Sequence, residues 1–262
     1  MKIGIFDSGI GGLTVFKEIS KTLPSFEIIY LGDTARLPYG IKSKRTIDRY
    51  SVNNIELLKS LDCEVIVIAC NTASSYSTNL LRSKYKEPIF DVISAGVRAA
   101  LEKNLKTLGV IGTNSTIASK SYSRMILKNN PNIIVHSKAC SIFVPIIEQG
   151  LAKKKYYDKI IEENLKFFRN KKLNGLILGC THYPLIKRKI KDYLGDDIDM
   201  IDSSLEISAS LKRYLEINYA SEFSKKKSKR TILLTDKSEY FDSVIKRMFK
   251  GLDVKVRLVD IK

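Results

Sequence analysis

The chain has only two histidines among its 262 residues, and its four cysteines include no Cys-x-x-Cys pair. The spacings of structural zinc sites are therefore missing, and so is the Cys-His-Asn set of a thiol hydrolase. No apolar run approaches the roughly 18–20 residues that a membrane span requires. The opening stretch Met1-Lys2-Ile3-Gly4-Ile5-Phe6-Asp7 reads as a β-strand and lacks the longer apolar core and cleavage site of a signal peptide. The resulting expectation is a cytoplasmic protein with reduced thiols and no membrane partner.

Acidic residues are scarce beside basic ones. Asp and Glu number 28 against 45 Lys and Arg, a net charge of +17, with a pI near 9.6. Such a balance invites a nucleic-acid partner. The lysines, however, are scattered over nearly every expected helix, as in Lys153-Lys154-Lys155 and Lys187-Arg188-Lys189. The one dense run, Lys225-Lys226-Lys227-Ser228-Lys229-Arg230, falls in an expected loop before a strand. No zinc-finger, aromatic RNA-binding or basic-zipper signature accompanies it. The surplus reads as a solvated basic surface with weak attraction for polyanions and no specific nucleic acid.

What is present is regular alternation. Short β-rich apolar runs alternate with longer amphipathic stretches, which indicates βαβ units around mainly parallel sheets. Strands are expected at 3–6, 27–31, 65–69, 89–93, 108–111, 133–136, 176–178, 199–201, 232–234 and 254–259. Helices include Lys42–Leu61 and Tyr156–Phe168, where apolar residues recur at helical spacing. The length suffices for one large or two medium domains.

A weak internal repeat organises these elements. Glu64-Val65-Ile66-Val67-Ile68-Ala69-Cys70-Asn71-Thr72 is echoed 110 positions later by Asn174-Gly175-Leu176-Ile177-Leu178-Gly179-Cys180-Thr181-His182. Gly4-Ile5-Phe6-Asp7-Ser8 and Gly109-Val110-Ile111-Gly112-Thr113 form a second such pair. The simplest architecture is two similar α/β/α domains that face each other, with the active site in the cleft between them. Ligands of parallel α/β sheets bind beyond the carboxyl ends of the strands, where these residues fall.

A single cysteine at the end of a buried strand reads as a core residue. Two in matched contexts call for a second explanation, and matched thiols suit proton transfer at both faces of a carbon. His182 lies two residues beyond Cys180, before Pro184, in a turn at an expected strand tip, which suits a catalytic or ligand-orienting role. His136, inside an alternating strand, reads as structural. Asp7-Ser8-Gly9-Ile10-Gly11-Gly12 is a glycine-rich turn but not a phosphate-binding loop, since no Gly-Lys-Ser/Thr closes it. Asp33 lies 21 residues past that turn, about where a ribose-binding acid would sit, so a nucleotide ligand stays open at this point. Otherwise the glycines allow a small ligand to approach the backbone, with Asp7 or Ser8 at its lip or capping the next helix. Pro38, Tyr39 and Gly40 form a compact turn able to present backbone amides to an anion. Glu148, taken alone, reads as an exposed helix-end carboxylate.

Five blocks in order resemble the glutamate racemases of the aspartate/glutamate racemase superfamily. They are Phe6-Asp7-Ser8-Gly9-Ile10-Gly11-Gly12-Leu13-Thr14-Val15, Gly32-Asp33-Thr34-Ala35-Arg36-Leu37-Pro38-Tyr39-Gly40 and Ala69-Cys70-Asn71-Thr72-Ala73-Ser74. Ala139-Cys140 with Phe143-Val144-Pro145, Glu148 and Gly150 follows, and Gly179-Cys180-Thr181-His182-Tyr183-Pro184-Leu185 closes the set. The resemblance implies a cofactor-independent racemase, with no pyridoxal phosphate and no metal, that supplies D-glutamate for peptidoglycan. Cys70 would exchange the proton with the D-enantiomer and Cys180 with the L-enantiomer, assisted by Asp7 and His182. Substrate would meet Asp7, Ser8, Pro38, Tyr39, Gly40, Asn71, Thr72, Thr113, Thr116, Glu148, Thr181 and His182. Cys63 and Cys140 would be structural. The same resemblance implies a homodimer and a C-terminal stretch that returns to the first domain, giving 1–95 with 208–262 and 96–207. An aspartate or hydantoin racemase is the alternative on the same framework, and a polyanion-binding protein on a racemase fold is the other class. Two positions depart from the family pattern: Ala95 where proline is usual, and Ser141 where Cys-Pro is frequent.

Overall fold

The computed structural model describes residues 1–224 and 226–261. Lys225, in the basic run, and Lys262, at the end of the stretch 208–262, lie outside the described residues. The first half runs β1 (Lys2–Asp7), α1 (Leu13–Thr22), β2 (Glu27–Gly32), α2 (Lys44–Ser60), β3 (Val65–Ile68), α3 (Asn71–Lys84), β4 (Ile89–Asp91) and α4 (Val92–Glu102). The second runs β5 (Thr107–Gly112), α5 (Asn114–Ala118), α6 (Ser121–Asn129), β6 (Ile134–Ala139), α7 (Phe143–Glu148), α8 (Tyr156–Leu165), β7 (Gly175–Gly179), α9 (Lys187–Leu194) and β8 (Asp199–Ile201). The chain then continues through α10 (Ser203–Asn218), β9 (Arg230–Leu234), α11 (Glu239–Met248) and β10 (Lys255–Leu258).

Two sheets result, and every strand pairing in them is parallel. One has the order β10-β9-β2-β1-β3-β4 and the other β6-β5-β7-β8. The runs β2-β1-β3-β4 and β6-β5-β7-β8 match strand for strand, so the sequence repeat is a repeat of topology. β9 pairs with β2, which brings the C-terminal stretch back onto the first sheet.

Alternation along each strand builds two cores per sheet. Ile3, Ile5, Ile28, Tyr30, Val65 and Val67 pack on α1, α10 and α11, while Phe6, Ile29, Leu31, Ile66 and Ile68 pack on α2 and α3. In the second sheet Ile111, Leu176 and Leu178 face α7 to α9, and Leu108, Val110 and Ile177 face α4 and α6. Helix α4 therefore serves both halves: Val92 and Ala95 join the first core, Ile93, Val97 and Ala100 the other. The expected border between residues 95 and 96 falls inside this helix, and that between 207 and 208 falls inside α10.

Local chemistry explains where elements stop. The strand expected over 89–93 ends at Asp91, because that carboxylate caps α4 through the amides of Ile93 and Ser94 at 3.0 and 2.9 Å. Val92 and Ile93 become helical instead. The Arg230 guanidinium, at the start of β9, collects the carbonyls of Phe26, Leu23, Pro24 and Ser20 at 2.6–3.2 Å. These include the orphan carbonyls at the end of α1, and the cluster anchors the returning strand beside β2. Among the described residues, no helix is long and apolar enough to cross a membrane.

Candidate active site

Because all strands of each sheet run the same way, the loops after β1, β2 and β3 gather at one edge and those after β5, β6 and β7 at another. Both edges line a single cavity of about 290 Å³. Cys70, two residues beyond β3, and Cys180, directly after β7, both belong to its wall. The first sheet's loops also contribute Ser8, Pro38, Tyr39, Gly40, Asn71 and Thr72, and the second's contribute Thr113, Thr181 and His182. Three of the expected substrate contacts, Asp7, Thr116 and Glu148, stand behind this wall and do not line it.

Asp7 ends β1 fully buried. Its Oδ2 accepts the amides of Gly9 and Gly12 at 3.0 and 3.1 Å, which folds the glycine turn back over the carboxylate. Neither Asp7 nor Ser8 caps α1; Gly12 stands at that cap. Thr181 donates to Asp7 Oδ1 at 3.3 Å, linking the two halves. Burial pushes the Asp7 carboxyl above its ordinary pKa, while the nearby His182 charge and the two amides pull the other way. Gly11 packs so tightly that an added Cβ would lie 2.5 Å from Thr181 Oγ1 and 2.6 Å from His182 Nδ1. The turn is thus the seat of the Cys180 loop.

Cys70 is the N-cap of α3, and its sulfur accepts the Ala73 amide at 3.4 Å. Its thiol lies 3.5 Å from Ser8 Oγ and can donate to it. Burial pushes the thiol up to about 12 and the Asp7 charge adds to this; the Ser8 and Ala73 hydrogen bonds oppose them and are outweighed. Cys70 therefore rests as a neutral thiol.

Cys180 has a different neighbour, His182 Nδ1 at 3.6 Å from its sulfur. His182 Nε2 pairs with the Glu148 carboxylate at the end of α7. Burial disfavours the charged ring, but Glu148 and Cys180 outweigh it and hold the imidazole well above its ordinary pKa. As an imidazolium, His182 donates one N–H to Glu148 and the other to the Cys180 sulfur. Glu148 is only 10% exposed, so the expectation of a solvent-facing helix-end carboxylate fails. The reason is the pairing with a residue 34 positions away, which no local pattern reveals.

Hydroxyls close the rest of the interior. Thr72 and Thr113 meet at 2.9 Å across the halves, and Thr113 meets Thr116 at 3.0 Å, which explains why Thr116 sits one layer back. Asn71 Nδ2 is buried and has no hydrogen-bond partner among the described residues. Pro38 follows a cis peptide bond. Tyr39 gives its hydroxyl proton to Asp33 and accepts from Asn54 at 3.1 Å, so it offers the cavity its ring and backbone only. Asp33 also takes Arg36 Nε at 2.7 Å and is fully buried. It is committed to clamping its own loop, which removes the ribose-binding alternative.

Sequence reasoning missed the apolar part of the wall: Leu37, Ile41, Ile142, Val144 and Pro145, with Ser141 beside them. The stretch 141–145 lies just past β6, a position that could have marked it. Ser141 Oγ accepts the Asn114 amide at 2.8 Å, so this departure from proline supports the start of α5. Ala95 is packed in the first core. Cys63 and Cys140 are buried away from the cavity. Among the described residues, no lysine, arginine or carboxylate lines the wall, and His182 is its one ionisable side chain apart from the two thiols and Tyr39.

Fold and site together define a two-sheet α/β protein with a thiol from each half at one cavity. The sequence model of the Asp/Glu/Hydantoin racemase family matches residues 3–207. The chain belongs to that family. It is 43% identical over 261 residues to the glutamate racemase of Aquifex pyrophilus, covering 99% of this chain and 98% of that relative. The solved structure of that racemase superimposes with a TM-score of 0.82 over 98% of both chains. The crystal structure of the Francisella tularensis glutamate racemase in complex with D-glutamate gives 0.92 at 39% identity, covering 100% of this chain and 98% of that one.

Proposed function

We propose that this chain is a glutamate racemase that interconverts L- and D-glutamate by moving the α-proton between Cys70 and Cys180. The observation that carries this most directly is the pair of thiols, one from each topological repeat, on the wall of one small cavity. The thiolate of one cysteine takes the proton from Cα, and the electron pair left behind spreads into the α-carboxylate. The thiol of the other cysteine then delivers its own proton to the opposite face. One S–H forms and one S–H breaks, so the enzyme ends with its two sulfurs in exchanged protonation states. Cys180 acts on the L-enantiomer and Cys70 on the D-enantiomer.

The difficulty of the step is the weak acidity of the α-proton. Since no lysine or arginine among the described residues lines the wall, the substrate carboxylates fall to neutral donors: Ser8, Asn71, Thr72, Thr113 and the N-terminal amides of α3. Donors fixed in a nearly dry site stabilise developing negative charge far better than mobile water does. The imidazolium of His182 gives the Cys180 sulfur a counter-charge, and Glu148 holds that charge in place. Ser8 performs the lesser service: its hydroxyl accepts from the neutral Cys70 thiol and can turn to donate to the thiolate. Asp7 shapes the turn around both loops.

Kinship further supports a cytoplasmic homodimer that supplies D-glutamate for peptidoglycan; sedimentation velocity of the purified protein tests the dimer. The function itself is tested by incubating the protein with L-glutamate and no added cofactor, and measuring D-glutamate. Parallel reactions with aspartate and hydantoins separate the alternatives. Turnover of one of those, with glutamate untouched, would replace glutamate as substrate.

A further inference from the structure

Tyr122 on α6 belongs to the second half, yet its hydroxyl donates to Asn71 Oδ1 in the first half at 2.7 Å. Both side chains are buried. Asn71 directly follows Cys70, and the Tyr122 ring lies against Gly179, the residue directly before Cys180. A Cβ on Gly179 would stand 3.1 Å from the ring, and one on Gly96 would stand 3.2 Å from it. The ring thus fills a slot between two glycines, and the side chain meets the neighbours of both cysteines, Gly179 through its ring and Asn71 through its hydroxyl.

A buried phenol and a buried primary amide constrain each other, because each polar atom needs a partner. With Oδ1 toward Tyr122, the phenolic proton is satisfied, and Nδ2 remains the donor without a partner, on a residue that lines the cavity. With the amide reversed, the phenolic proton would lose its acceptor in a buried site. A carbonyl oxygen would then stand where a substrate carboxylate has to bind. One orientation therefore serves both the protein and an anionic ligand.

We propose that Tyr122 is a positioning residue: it fixes the orientation of the Asn71 amide so that Nδ2 is held in reserve as a donor for a substrate carboxylate. This rests on the assignment of the cavity to glutamate. Tyr122 itself touches no substrate atom and acts through Asn71.

The test is a double-mutant cycle with Tyr122→Phe and Asn71→Ala in the full chain. Phe keeps the ring between Gly96 and Gly179 and removes only the hydroxyl. The expected result is a fall in kcat/KM for glutamate of about tenfold for Tyr122→Phe, the size of one lost neutral hydrogen bond, carried mostly by KM. In the Asn71→Ala background the same change should have little further effect. Equal, additive losses in both backgrounds would overturn the proposal, since a general packing role does not depend on Asn71. A second readout is the side-chain amide NMR signal of Asn71, assigned by its loss in Asn71→Ala. It should shift on saturation of the wild-type protein with glutamate and broaden or split in Tyr122→Phe. An Asn71 signal that ignores bound glutamate overturns the proposal even if Tyr122→Phe cannot be isolated. Failure of the wild-type protein to racemise or bind glutamate is a separate result and overturns the assigned function instead.

Discussion

Cys70 and Cys180 occupy the same topological position in two different sheets, each just beyond the strand that flanks its half's leading strand, β1 or β5. Their surroundings are not equivalent. Cys70 meets a serine hydroxyl and a helix amide, whereas Cys180 meets an imidazolium backed by a carboxylate. The repeated topology has thus placed two identical groups in chemically distinct settings.

The Glu148 and His182 pair gives the site a pH signature. In the folded protein His182 keeps its proton well above the ordinary imidazole value of about 6.5. The folded state therefore binds more protons than the unfolded one above that value. This stabilisation is complete below about pH 6.5 and is lost as pH rises through the folded-state pKa. Glu148→Gln removes the main cause of the upward shift. Urea midpoints should consequently fall less steeply with rising pH in the variant, and racemisation starting from L-glutamate should slow. Parallel stability curves for the two proteins would contradict the assignment of the charge to His182.

Gly11→Ala addresses the contact between the glycine turn and the Cys180 loop. The added methyl would overlap Thr181 Oγ1 and His182 Nδ1, and the loop has to move to admit it. Overpacking of this kind costs about 1–3 kcal/mol. The expected outcome is a protein that still folds, with a modestly lower Tm, and has lost nearly all racemase activity. Unchanged kcat/KM in this variant would show that the Cys180–His182 geometry tolerates displacement.

The legible part of the chain was the part carried by short-range pattern. Ten strands could be read from apolar runs, and the echo around Cys70 and Cys180 anticipated the matched sheets. What stayed hidden depends on contacts between distant positions. The spacing of Asp33 leaves a nucleotide ligand open, and only the folded loop, which brings Arg36 and Tyr39 onto the carboxylate, closes that option. Glu148 looked exposed until α7 packed beside His182. Asp7 and Thr116, expected to touch substrate, stand behind the wall because turn amides and Thr113 claim them first. Ile142 and Val144 line the cavity because the loop after β6 ends at the same edge as that after β7, which a linear pattern does not encode.

Arg230→Met separates stability from catalysis. Loss of the guanidinium removes the hydrogen bonds to the carbonyls of Phe26 and Ser20 and leaves those of Leu23 and Pro24 with only their backbone partners, Phe26 N–H and Ser228 N–H. Hydrogen bonds to a charged group contribute roughly 1.5–3 kcal/mol each, and a buried carbonyl left unsatisfied costs about 1–3 kcal/mol. Chemical denaturation should show a loss of that order, while kcat/KM per folded molecule stays at the wild-type value because the cluster lies away from the cavity. A variant as stable as the wild type would mean that β9 is held beside β2 by its ladder and apolar face alone.

Proton transfer between two thiols is tested most directly by racemising L-glutamate in D₂O and examining both enantiomers early, before the reverse reaction contributes. In the proposed mechanism the base that takes the substrate proton differs from the group that returns one. The D-glutamate formed should therefore carry deuterium at Cα, while the remaining L-glutamate keeps its protium. D-glutamate that retains the substrate's own proton, or deuterium appearing equally in both enantiomers from the first turnovers, would contradict the two-thiol account.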